Sequence, residues 1–114
     1  MEVLDDELRR QLPSIHKQHN IAHEHMCMIY ARLFAPRSGV SFYVAEGEQR
    51  GVDYVLWGFV VAPHFKFPSR FQISLSRLQT EDWLGQEPCW RDEDFKPAFW
   101  GIVERTIPNL RRPL

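Results

Sequence analysis

A chain of 114 residues holds one domain's worth of structure. Hydrophobic residues make up 44% and charged residues 25%, both close to the globular average, so neither a disordered nor a membrane-embedded composition fits. Fourteen Lys and Arg against fifteen Asp and Glu leave a formal charge of −1, which excludes the strongly basic domain of most nucleic-acid binders but not a local basic patch.

Residues 1–10 (MEVLDDELRR) are charged and carry no apolar secretory core. The longest apolar run, residues 54–63, suits a buried strand and falls short of the roughly 18 residues a membrane span needs. The expected location is cytoplasmic, and Cys27 and Cys89 read as reduced thiols. Aromatic residues reach 13%, enough to fill a small core without disulfides or metal.

Taken along the chain, Leu4, Leu8, Leu12 and Ile15 recur at helical spacing behind Asp5, Asp6 and Glu7, and Pro13 ends that helix near Leu12. Residues 14–25 are polar and His-rich, a loop or second short helix. Residues 26–35 (MCMIYARLFA) read as one strand covered on both faces, hence central. Pro36-Arg37-Ser38-Gly39 is a turn, and residues 40–46 are its antiparallel partner. Residues 47–53 read as a looser polar turn and 54–62 as the most apolar strand. Phe71-Gln72-Ile73 is a short fourth strand.

Residues 74–84 (SLSRLQTEDWL) read as a short helix, with Ser74 or Ser76 as cap and Ser76 with Gln79 at capping-box spacing. Residues 88–95 suit a last edge strand. Asp94 is the expected cap of a final helix over 96–105, with Pro97 in its first turn and Phe99, Trp100 and Val103 on one face. The predicted fold is therefore a single α+β domain over residues 1–114. It has a three- to five-stranded, mostly antiparallel meander. Short helices lie at the N-terminus, near 74–84 and near 96–106, packed on one face; 109–114 is a loose tail.

The run RLFAPRSGVSFYVAEGE, then Gly58-Phe59-Val60, then ISLSRLQ, then WRDEDFKP resembles a bacterial family, domain of unknown function 2958. The matching positions are Leu33, Phe34, Pro36, Gly39, Tyr43, Glu46, Gly58, Ser74, Leu75, Ser76, Leu78, Arg91, Asp92, Phe95 and Pro97, in order over residues 31–97. Phe42 stands where the family has Trp, Arg77 where it has Glu, and apolar Val60-Val61-Ala62 replaces an acidic stretch. The resemblance implies a bacterial cytosolic accessory protein of plasmids and other mobile elements. It supplies no catalytic residues.

Three constellations carry possible chemistry. His16, His19, His23 and His25 form HxxHxxxHxH, with Cys27 two residues on. Imidazole and thiolate suit Zn²⁺, but the spacing matches no named zinc motif and a solvated polar loop accounts for it more simply. Arg91, Asp92, Glu93 and Asp94 with Glu87 can do acid–base work only if burial splits their pKa values, and solvated charge accounts for them more simply. No Gly-rich phosphate loop, GxSxG or HExxH is present.

Phe65, Lys66, Phe67 and Arg70 interleave bases with aromatics. That composition serves a protein-interface hot spot or a stacking platform for single-stranded nucleic acid, unless the two Phe fold back over the core. The expected function is a non-enzymatic binding module with a protein partner and no cofactor, counter-defence being one conceivable role. A nucleic-acid-binding module using residues 64–70 is the alternative, and a metal-dependent enzyme using the histidines of 16–25 is third. No membrane partner is expected, and the sequence assigns neither partner identity nor oligomeric state.

Overall fold

The structure is a computed structural model and describes residues 4–15, 24–63, 68–78 and 89–107. The first element is helix α1 (Asp6–Gln11). Its N-cap is Asp5, whose Oδ1 accepts the Leu8 N–H at 2.8 Å. Asp6 and Glu7 sit in the first turn and Arg9 and Arg10 in the last, matching the helix dipole at both ends. Leu12 leaves the helix with extended backbone because Pro13 follows it.

Strand β1 (Met28–Ile29) pairs with β7 (Ala98–Phe99) in a two-stranded sheet. The main sheet has five antiparallel strands among the described residues: β2 (Ala31–Ala35), β3 (Val40–Arg50), β4 (Asp53–Val61), β5 (Ser69–Ser74) and β6 (Trp90–Arg91), in the order β5-β4-β3-β2-β6. Helix α2 (Leu75–Leu78) follows β5, and α3 (Trp100–Thr106) follows β7. The α+β class and the antiparallel meander are as the sequence predicts.

Residues 26–35 are not one strand. They break at Tyr30, whose N–H goes to the Val44 carbonyl at 2.8 Å. Cys27 and Ile29 belong to one core cluster, Ala31, Leu33 and Ala35 to the other. The alternation runs on unbroken through Tyr30, so sequence period cannot reveal that the chain changes sheets there.

Strand β3 is also longer than expected and reaches Arg50. It meets β4 across a two-residue loop, Gly51-Val52, with Gly51 at φ +60°. A positive φ at the first position is what primed hairpin turns require. Gly47, expected in a turn, is in the strand because Tyr54 and Leu12 pack onto it; a Cβ there would lie 2.6 Å from the Tyr54 ring.

The β3–β4 pair carries a bulge. Val44 faces Gly58 and Glu46 faces Trp57, leaving Ala45 as the extra residue. Gly58 is obligatory beside it, since a Cβ would meet the Tyr43 carbonyl oxygen at 1.9 Å.

The sheet separates two cores. On one face Leu4, Leu8 and Leu12 of the α1 region and Leu78 of α2 cover Leu33, Phe42, Val44, Tyr54, Leu56 and Val60. On the other, Trp100 and Val103 of α3 with Cys27 and Ile29 cover Tyr43, Ala45, Trp57 and Phe59. Helices therefore pack on both faces, not one. The 13% aromatic content makes this possible, because Trp100 and Tyr43 give the second face its own core.

Two expected caps are replaced. Ser76 caps nothing: its hydroxyl donates to Asp53 Oδ2 at 2.6 Å and its N–H reaches Asp53 Oδ1 at 3.3 Å. Asp53 thus anchors the start of α2 from the neighbouring strand. Asp94 does not cap α3, which starts at Trp100 behind Phe99 with no side-chain cap bond. Instead the Asp94 N–H donates to Asp92 Oδ1 at 3.0 Å in a turn that ends β6. Phe99 faces outward, half-exposed, while Trp100 and Val103 point in.

Candidate functional site

Cross-strand pairing places side chains in rows on the α3 face of the sheet. One row runs Arg32, Tyr43, Phe59, Arg70. The Trp100 indole lies on its centre. It stacks on Phe59 at 4.5 Å between centroids with 7° between planes, and tilts against Tyr43 at 5.4 Å. The next row, toward the Pro36–Gly39 turn, runs Trp90, Phe34, Ser41, Val61. Its edge member, Trp90, is 50% exposed, and Phe34 and Val61 are half-buried.

Arg32 joins the two rows. Its guanidinium stands 4.7 Å from the Phe34 ring centroid. Nη1 donates to Asp92 Oδ2 at 3.0 Å, and Nη2 and Nε donate to Ser41 Oγ at 3.1 and 3.3 Å. These bonds hold the Arg32 guanidinium over the Phe34 ring, and Asp92 neutralises its charge in place. At the other end of the covered row Arg70 is exposed, and its Nε donates to Glu24 Oε1 at 2.8 Å.

Of the sequence-predicted binding residues, only Arg70 lies within the described residues; Phe65, Lys66 and Phe67 lie outside them.

His16, His19 and His23 also lie outside the described residues. His25 is exposed in the 3₁₀ turn Glu24–Met26, which packs so closely on α3 that a Cβ on Gly101 would sit 2.9 Å from the His25 Cβ. Among the described residues no three His, Cys, Asp or Glu side chains gather as a metal site. In the acidic segment, Asp92 is committed to Arg32 and to the Asp94 N–H, and Glu93 and Asp94 are exposed.

Neither cysteine is in a disulfide; both are buried, and they belong to opposite cores, with the sheet between them. Burial pushes the Cys89 thiol up to about 11. Burial also raises Cys27, helped by the negative charges of Glu24 and Glu46. Thiols so protonated are poor nucleophiles.

Two features escaped sequence reasoning. Glu46 is fully buried, opposite Trp57 beside the bulge. Its position at the end of the apolar run VSFYVAE reads as the strand's polar end, and the bulge sets it opposite Trp57 on the α3 face. The Trp90–Phe34 patch depends on pairing between β2 and β6, distant in sequence. Alternation in 88–95 marks an edge strand but not its neighbour.

Among the described residues no helix is long and apolar enough to cross a membrane. No protein-family model matches this chain, and no curated protein or solved structure matches it either.

Proposed function

We propose that this chain is a non-enzymatic binding module that docks a protein partner through the end of the sheet face that α3 leaves uncovered. The observation that carries the reading is Trp90, half-exposed and cross-strand from Phe34, with the Arg32 guanidinium stacked alongside. Trp and Arg dominate binding energy at protein interfaces when they sit together in a patch that a partner can desolvate. The sequence adds Phe65 and Phe67, outside the described residues, as further proposed contacts for a protein partner.

The partner that suits it presents an uncharged, apolar protein surface. Arg32 and Arg70 are already neutralised by Asp92 and Glu24. Single-stranded nucleic acid is the competing occupant. It gains stacking on Trp90 but needs cations for its phosphates, and the chain's formal charge of −1 does not supply a surplus. The resemblance to domain of unknown function 2958 adds the setting we propose: a cytosolic accessory protein of a bacterial mobile element, a role in counter-defence included.

The test compares Trp90→Ala with Ile102→Ala, a second half-exposed apolar residue on α3. The reading expects one partner to be captured by wild type and Ile102→Ala and lost from Trp90→Ala, with thermal stability preserved. Equal capture by all three, or equal loss from both variants, overturns it. A single-stranded oligonucleotide should leave the tryptophan emission unchanged at low salt. Saturable quenching that disappears in Trp90→Phe and fades steeply with salt would assign the patch to nucleic acid instead.

A further inference from the structure

A second site lies at the opposite end of β3 and on the opposite face of the sheet. Arg9 of α1, Gln49, Val52, Asp53 and Tyr54 of the β3–β4 hairpin, and Leu75 and Ser76 of α2 enclose a cleft of about 370 Å³. That volume is within the range of small-molecule sites. We propose that this cleft binds a small organic carboxylate, held by the Arg9 guanidinium, with the ligand's apolar stem against Leu75 and Val52.

The geometry prepares Arg9 for this. Its guanidinium carbon lies 5.3 Å from the centroid of the Tyr54 ring, a cation–π distance. Tyr54 is itself fixed, being buried and pressed against Gly47. Among the described residues no carboxylate forms an ion pair with Arg9. Asp53 and the Gln49 amide nitrogen, also in the lining, are occupied. Asp53 takes the Tyr54 N–H at 2.8 Å and the Ser76 hydroxyl and N–H, and the Gln49 amide donates to the Gly51 carbonyl at 2.9 Å. The forked donors of Arg9 therefore remain for a ligand.

A planar carboxylate matches an arginine fork in two parallel hydrogen bonds. The charge of Asp53 decides between oxyanions. Its carboxylate is held ionised by the Ser76 hydroxyl and the Tyr54 N–H, so a dianionic phosphate meets more repulsion in the cleft than a monoanion does. The rim selects a further feature. Val52 is fully exposed and Leu75 half-buried, so a carboxylate on an apolar stem covers surface that acetate cannot.

Amide chemical-shift titrations with benzoate, acetate and inorganic phosphate test this on the intact chain. Benzoate should shift the amides of Gly51, Val52, Asp53, Leu75 and Ser76 saturably, with acetate and phosphate at least tenfold weaker. Arg9→Gln should weaken benzoate at least tenfold, Arg9→Lys should weaken it less, and Arg10→Gln, outside the lining, should leave it unchanged. Arg9 is exposed, so loss of its dipole and ring contacts should lower the thermal midpoint of Arg9→Gln by no more than about 4 °C, which separates lost binding from lost folding. Absence of saturable shifts, equal benzoate affinity in Arg9→Gln, or phosphate binding as tightly as benzoate would each overturn the assignment.

Discussion

Replacing Trp100 by Ala removes the side chain that makes one face of the sheet a core. Trp100 is 1% exposed, stacks on Phe59 and touches Tyr43. Deleting a buried aromatic of this size costs about 3–5 kcal/mol, the transfer loss plus the cavity left behind. At roughly 4 °C per kcal/mol for a chain of this length, the thermal midpoint should fall by about 12–20 °C. Trp100→Phe keeps a ring over Phe59 and should cost only about 1–2 kcal/mol, the burial of the missing part of the indole. Combining Trp100→Phe with Phe59→Leu should reveal a coupling of about 0.5–1.5 kcal/mol from ring geometry. Urea unfolding followed by far-UV circular dichroism measures all of these. A loss below about 1 kcal/mol for Trp100→Ala would refute the two-core reasoning, because a lid helix on a solvated sheet face costs that little to undock.

Other consequences follow from the same coordinates. Gly58→Ala should leave little soluble folded protein, since the clash is with the Tyr43 backbone beside the bulge, which cannot move without breaking the β3–β4 ladder; a variant with wild-type solubility and dichroism would contradict this. At pH 8 Ellman's reagent should label neither thiol in native protein and both after denaturation, because a thiol raised to about 11, as Cys89 is, holds about 0.1% thiolate at that pH. The same shift sets a pH dependence. Cys89 keeps its proton in the folded chain above the pH at which the unfolded chain releases it. Its contribution is therefore complete below pH 9 and declines as pH rises toward 11, so wild type should lose stability over that window and Cys89→Ala should lose less.

Local chemistry made the start of the first helix and the first hairpin turn legible. Asp5 and Leu8 announce α1, and Gly39 with φ +75° closes the β2–β3 turn that Pro36 begins. What failed was non-local. Alternation from Cys27 to Leu33 is unbroken, yet the chain passes between cores at Tyr30 because β1 finds its partner in β7, some 70 residues on. Glu48, Gln49 and Arg50 look like turn residues and are strand, because the ladder to Val55, Tyr54 and Asp53 runs to the hairpin tip while their own side chains carry no apolar alternation. The start of α3 was misplaced because Pro97 fits a first helical turn as well as it fits the approach to β7. That shift matters for function. A helix starting at Trp100 brings its indole onto Phe59 and leaves Trp90 and Phe34 outside the covered area.

The proposed docking of a partner protein on Trp90, at the end of this sheet face, is open to direct measurement. A photo-crosslinking amino acid placed at position 90, and in a parallel variant at position 102, tests it in the cells that make the protein. One discrete protein adduct is expected from position 90 and none from 102. The same adduct from both positions, or an adduct from 102 alone, would contradict it.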